Sequence, residues 1–376
     1  DPMVAPADSS LDLSQPVHPG YGAECVTALI PALLEGADEP AWLPAGSLEA
    51  RCVVLFVLDG LGWNQLGTRG GLAPTLSALD GGPITTVAPT TTATALTSIT
   101  TGRPPGEHGV VGYRVALEEG VLNTLRWSVG GGGFEDRPDP RTFQPCPTFG
   151  AQRPPVVTRA EHAGSGFSRA HLADVRMIGY QDRGGAVDAV VDAAGSAEAF
   201  VYAYWDGIDR TAHEYGFGER YDEELTACDA MVAAMLDRLA PDTALLVTAD
   251  HGQVEVGERM LTLPGEVSAL VDRQSGEARF RWLHGHPGSA ADLLAASQEA
   301  FGTSAWVVGV DEAVNSGWFG PVVTPAARAR LGDVALVARD QVGFVDPAEV
   351  IPIQLICRHG SLTADETLVP LVGVVT

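Results

Sequence analysis

CVVLFVLDG, residues 52–60, sets seven consecutive apolar side chains before a closing Asp59-Gly60. An apolar run without alternation is the pattern of a strand covered on both faces, as in the middle of a parallel sheet. Asp59 then stands at the carboxyl end of that strand, the edge where open α/β sheets place their ligands. Two further runs repeat the pattern. Ala199–Trp205 (AFVYAYW) leads to Asp206 and Asp209, and Thr243–Thr248 (TALLVT) leads to Asp250-His251-Gly252.

Helical segments alternate with these strands: one near 24–35, one opened by a Thr-rich stretch at 92–101 and stopped by Gly102, one near 184–196, and Glu219–Leu239. A shorter strand is expected at Ile84–Val87, and the core resumes at Ile351–Cys357 before the apolar tail VPLVGVV. This alternation predicts an α/β fold, a doubly wound, mostly parallel sheet flanked by helices. Residues 127–156, rich in Gly and Pro, read as a loop or insertion. Alternation loosens from 256 to 345, which is expected to be an inserted lid with a helix near 289–301. The core is therefore assigned to 1–255 and 346–376.

Composition removes several classes of function. The net charge of −25 argues against binding a nucleic-acid polymer, which needs a basic face. It leaves small anionic substrates open, because bound dications invert the local field. All 23 basic residues are arginine, so neither Schiff-base lysine chemistry nor a Walker A loop is available. The five cysteines are dispersed and never form C-x-x-C, against a disulfide scaffold or a Cys-rich zinc site. Cys52 and Cys357 read as buried small hydrophobes. No apolar stretch approaches a membrane span, and residues 1–10 carry no basic or hydrophobic leader pattern, so a cytoplasmic location and no membrane partner are expected.

Seven residues carry the chemistry: Asp59, Thr92, Asp209, His213, Asp250, His251 and His359. Most lie at or near the end of an apolar run, and Asp209 and His213 share one helix face at i, i+4 spacing. Carboxylates, imidazoles and a hydroxyl at one sheet edge make an oxygen- and nitrogen-rich pocket for divalent cations, suited to phosphate esters. The mixed ligand types fit Zn²⁺, and Mn²⁺ is also compatible because half are carboxylates. A hydroxyl at the first turn of a helix faces unpaired N–H groups and the positive dipole end, a position that Thr91 or Thr92 satisfies.

FVLDGLGW (56–63), PTTTATALTSITTGRPPGEHG (89–109), WDGIDRTAHEYG (205–216), LLVTADHGQ (245–253) and RHGSLTADETLVPL (358–371) together resemble the ordered signature of the alkaline phosphatase superfamily. Within it they are most similar to the type I phosphodiesterase/nucleotide pyrophosphatase family. The resemblance implies two zinc ions, one held by Asp59, Asp250, His251 and the nucleophile's oxygen, the other by Asp209, His213 and His359. It selects Thr92, ten positions before Gly102, as the nucleophile, and implies hydrolysis of a phosphodiester or nucleotide pyrophosphate through a phosphothreonine intermediate.

The family's phosphate-binding asparagine is replaced in the matching segment, GEHGVVGYRV, where Tyr113 falls at its position and Arg114 follows as a second candidate anion contact. A phosphomonoesterase or a phosphonoacetate hydrolase-like enzyme uses the same scaffold; a catalytically silent metal- or phosphate-binding protein is the non-enzyme alternative. Asp206 is expected to support the ligands from behind, His108 to be structural, and His284 and His286 to belong to the lid or to touch substrate. His18, His162 and His171 carry no signal.

Overall fold

The computed structural model describes residues 14–36, 38–130, 137–350 and 354–376. Its elements in chain order are β1 (Cys52–Leu58), β2 (Asp80–Thr85), α1 (Thr92–Thr101), β3 (Pro155–Arg159), β4 (Arg176–Tyr180), α2 (Arg183–Gly195), β5 (Phe200–Trp205), α3 (Gly207–Tyr215), α4 (Glu219–Arg238) and β6 (Thr243–Thr248). There follow β7 (Val271–Glu277), β8 (Phe280–Gly285), α5 (Ala290–Phe301), β9 (Ala305–Gly309), β10 (Val334–Ala338) and β11 (Leu368–Val375).

β1 pairs in parallel with β5 on one side, Val53 opposite Phe200, and with β6 on the other, Cys52 opposite Thr243. Every residue of these three strands is buried, which is what their unbroken apolar runs demand. The sheet continues in the order β2-β11-β6-β1-β5-β3-β4, parallel except that β11 runs antiparallel to both β2 and β6. This is the α/β architecture expected. Because β1, β5 and β6 run the same way, Asp59, the Asp206–Asp209 segment and Asp250-His251 all emerge at one edge.

Four expectations are corrected. The strand placed at Ile84–Val87 lies at Asp80–Thr85, an edge strand whose Gly81, Gly82 and Pro83 are tolerated because only one side is paired. The stretch 127–156 is not wholly a loop: Pro155 opens β3, a strand within the main sheet. Of the core segment expected at Ile351–Cys357, residues 351–353 lie outside the described residues; among the described residues 354–356 are not strand, and Cys357–Arg358 pairs with Val254–Glu255 alone. The expected helix at 24–35 is resolved into a 3-10 turn, Val26–Ala28, and a π-helical turn, Pro31–Glu35. Cys52 and Cys357 are buried as expected. No helix among the described residues is long and apolar enough to cross a membrane.

Within 256–345 a four-stranded antiparallel sheet, ordered β7-β8-β10-β9, carries its own apolar cluster around Leu283, Leu293, Phe301 and Leu336. Arg279, in the β7–β8 turn, ties this sheet to the core. Its Nε and Nη2 donate to Glu366 Oε1 and Oε2 at 2.7 and 2.8 Å, with both side chains fully buried. Breaking such a pair strands a charge in a dry environment. Arg279→Ala is therefore expected to destabilise the fold by about 3–5 kcal/mol, measured by denaturant unfolding.

Candidate active site

α1 begins directly above the sheet edge. All ten of its residues are buried, and Gly102 ends it in the left-handed conformation (φ 63°) that glycine adopts without steric cost. Thr91 occupies the N-cap but makes no side-chain capping bond, so Thr92 is the first helical residue. The three threonines differ in role. Thr90 Oγ1 donates to the Ser361 carbonyl (2.8 Å) and accepts from Gly360 N (3.0 Å), a wholly structural pairing. Thr92 Oγ1 instead lies 3.1 Å from His251 Nε2.

Around that hydroxyl the candidate ligands converge. Asp59 Oδ1 and Asp250 Oδ2 lie 3.4 and 3.5 Å from His251 Nε2. Asp209 Oδ1 lies 3.2 Å from His213 Nε2 and 3.7 Å from His359 Nε2. Donor atoms of Asp59, Asp250 and His251 fall within 4.8 Å of one another, and so do those of Asp209, His251 and His359. His251 thus stands between two groups, its ring stacked on that of His359 at 3.6 Å between centroids.

Apart from Asp209, whose Oδ1 itself accepts a bond, these residues are tethered through other atoms, which leaves their ligand atoms free. His213, His251 and His359 each place Nδ1 against a backbone carbonyl, that of Cys357 (2.7 Å), Gly252 (3.0 Å) and Thr90 (2.8 Å). Such a bond puts the proton on Nδ1 and leaves the Nε2 lone pair available, the usual arrangement behind a metal-binding imidazole. Asp250 Oδ1 accepts from Gly60 N and His251 N (3.1 and 3.0 Å). The Tyr204 hydroxyl donates to Asp59 Oδ2, and Gln253 Nε2 donates to Asp209 Oδ1 at 3.0 Å.

Asp59 Oδ1 and Asp250 Oδ2, both buried, have no hydrogen-bond partner among the described residues. Buried anionic oxygens without partners are costly, and a cation is what satisfies them. Burial, then the charges of Asp250 and Asp209, hold the Asp59 carboxyl well above the usual range; burial and the neighbouring imidazoles push His359 well below it. The residues present therefore fit divalent cations.

Gly60 shows how tight the supporting shell is. Its φ is +78°, and a Cβ there would come within 2.4 Å of Gln253 Nε2 and 2.9 Å of Asp209 Cα. Gly60→Ala is expected to lower metal affinity by about 10–100-fold by displacing Gln253 and Asp209, read by metal titration.

Two cavities open beside Thr92. One, of about 440 Å³, is mostly apolar, walled by Leu96, Leu125, Phe167, Leu172 and Tyr204, with Asp206, His162 and His171 also lining it. The other, of about 340 Å³, is lined by Thr91, Tyr113, Glu277, Arg358 and His359. Tyr113 is half-buried, and its hydroxyl accepts from Asn123 Nδ2 (2.8 Å), so its own proton points elsewhere.

Arg114 is a correction. It is buried and paired with Asp346, with Glu349 at 3.8 Å, so its charge is neutralised inside the protein and it lines neither cavity. Asp206 is bound by Arg159 Nε at 2.7 Å rather than by a ligand histidine. His108, bonded to Ser98 Oγ at 2.8 Å and held neutral by burial with a pKa of about 3, is structural. His284 bonds Ser275 within the inserted sheet, and His286 is exposed near Asp272. Sequence reading missed Tyr204, Gln253, Glu277 and Arg358, and gave His162 and His171 no weight.

Glu277 is buried against the Tyr113 backbone N–H, and burial pushes its pKa up from 4.5 to about 8. A raised acid stabilises the fold below its unfolded pKa, and that contribution is lost as pH rises toward 8. Glu277→Gln removes this dependence. The Tm difference between Glu277→Gln and wild type is expected to grow in favour of the variant between about pH 5 and 8.

The model of the type I phosphodiesterase/nucleotide pyrophosphatase family matches residues 53–172 and 152–348, and the chain belongs to that family of phosphoric ester hydrolases. Murine ectonucleotide pyrophosphatase/phosphodiesterase 5 is similar in structure at a TM-score of 0.63 and 15% identity, covering 85% of this chain and 87% of that one. The human protein gives the same TM-score and identity over 86% and 87%. Phosphonoacetate hydrolase from Sinorhizobium meliloti 1021, in complex with phosphonoformate, gives 0.61 and 18% over 86% and 90%. Comparison with curated proteins finds no match.

Proposed function

We propose that this protein hydrolyses phosphodiester or nucleotide pyrophosphate bonds by covalent catalysis at Thr92. The observation that carries the reading is the position of Thr92 Oγ1: first turn of α1, 3.1 Å from His251 Nε2, beside carboxylate oxygens without partners. Asp59, Asp250 and His251, with Thr92 Oγ1, would hold one divalent ion, and Asp209, His213 and His359 a second, with Zn²⁺ the best fit to mixed Asp/His donors. When bound, such a pair supplies positive charge that acidifies the hydroxyl and neutralises phosphate oxygens.

The chain's own residues do the rest. The N-terminal amides of α1 face the phosphoryl group, and Thr92 Oγ1 attacks phosphorus as the organic oxygen departs. Water then hydrolyses the phosphothreonine ester and regenerates Thr92. The apolar cavity beside Thr92 suits the organic part of a diester. The inserted segment 256–345 acts as a substrate-selecting wall, since Glu277 and Ala278 line the second cavity. A murine relative's structure was determined as an inactive variant, a threonine replaced by alanine, in complex with AMP, which is compatible with nucleotide esters.

Turnover of thymidine monophosphate p-nitrophenyl ester, bis-p-nitrophenyl phosphate, p-nitrophenyl phosphate and phosphonoacetate by zinc-loaded protein tests this reading. The two diesters are expected to be cleaved fastest. Preferential cleavage of the monoester or of phosphonoacetate would reassign the substrate.

A further inference from the structure

Arg358 is nine-tenths buried, yet its Nε has no hydrogen-bond partner. No carboxylate among the described residues pairs with it within 4.0 Å. The other deeply buried arginines are committed, Arg279 to Glu366, Arg281 to Glu349 and Arg114 to Asp346. An unpaired buried guanidinium is expensive, and the cavity it lines is the one that also contains Thr91, Thr92 and His359.

We infer that Arg358 is a specificity-determining residue: with Tyr113 and Glu277 it forms a subsite for a second oxyanion of the substrate, a phosphoryl or carboxylate group attached next to the scissile phosphorus. The inference rests on the proposed placement of the scissile phosphoryl group at Thr92. A guanidinium presents paired N–H donors that match two oxygens of such a group. Tyr113 offers its hydroxyl proton, since Asn123 already occupies the acceptor side.

Of the acidic residues of the same cavity, Asp209 belongs to the candidate metal ligands, and the other two do not oppose an anion. Glu349 is engaged by Arg281 at 2.9 Å. Glu277, its pKa raised by burial to about 8, stays protonated at neutral pH, and its Oε2 has no partner. A neutral carboxylic acid donates a hydrogen bond where a carboxylate would repel. The cavity that opens onto the nucleophile thus joins the buried fork of Arg358 and two neutral donors, with the exposed Arg126 also lining it.

Calorimetric titration of zinc-loaded protein, carrying Thr92→Ala to prevent turnover, tests the subsite with three probes sharing one head group: methylphosphonate, phosphonoacetate and methylenediphosphonate. The expected result is that at least one doubly anionic probe binds more tightly than methylphosphonate, and that adding Arg358→Gln lowers that affinity ratio by roughly 30-fold. Advantage for phosphonoacetate identifies a carboxylate; advantage for methylenediphosphonate identifies a phosphoryl group. Arg358→Lys, which keeps charge but not the fork, is expected to give an intermediate ratio and serves if the Gln variant does not fold. Methylphosphonate binding with a ratio unchanged by both substitutions overturns the subsite alone. Absence of methylphosphonate binding overturns the functional reading, and the subsite with it.

Discussion

Thr92→Ala is expected to lower diesterase activity by about 10⁴-fold or more while leaving the fold and the metal content in place. The size follows from the role: removing a nucleophile deletes the covalent route, and what survives is binding and charge stabilisation of direct attack by water. The structure supplies an internal control. Thr91 lies one residue earlier, makes no capping bond, and faces the second cavity. Thr91→Ala is expected to cost less than about tenfold, because an N-cap position without a cap bond contributes little. Steady-state kinetics of the two variants, with metal analysis of each, decides the matter. Equal losses would mean that the hydroxyls act only through α1.

Chelation is expected to abolish activity, and zinc to restore it together with stability. Two buried carboxylates, the half-buried Asp209 and three imidazoles gather around Thr92, and Asp59 is held above its usual range by burial and by Asp250 and Asp209. A dication relieves that repulsion, so part of its binding free energy appears as folding stability. At a thousandfold excess over Kd the gain is about 4 kcal/mol, a Tm rise of roughly 5–10 °C for a chain of this size. His251→Ala should remove most of the rise, because His251 belongs to both donor groups. A Tm insensitive to zinc, with activity surviving chelation, would contradict the two-ion reading.

The central strands and the scattered ligands were legible because one physical rule governs both. β1, β5 and β6 are buried on both faces and must be apolar throughout, so the first polar residues after each run mark the sheet edge. β3 and β4 lacked that signature. β3 begins at Pro155 after a Gly- and Pro-rich stretch, and β4 is an edge strand with only Tyr180 fully buried. β2 was misplaced because Gly81, Gly82 and Pro83 are residue types that punctuate strands, although an edge strand accepts them. The inserted sheet was obscured by its short strands and the register shift between Val271 and Arg273.

At the site, residue types with metal chemistry announced themselves, whereas their supports did not. Tyr204 is one aromatic among several in β5, and its bond to Asp59 spans 145 positions. Gln253 reaches Asp209 across 44. Arg358 and Glu277 come together only because the inserted sheet packs on the core, which no local pattern encodes. Arg114 went wrong for the same reason: its partner Asp346 lies 232 residues away.

Anomalous diffraction from zinc-loaded crystals addresses the two-ion arrangement most directly. Two peaks are expected about 3.5–4 Å apart, one bonded by Asp59, Asp250 and His251 with Thr92 Oγ1 alongside, the other by Asp209, His213 and His359. A lone peak, or peaks held by other side chains, would contradict it.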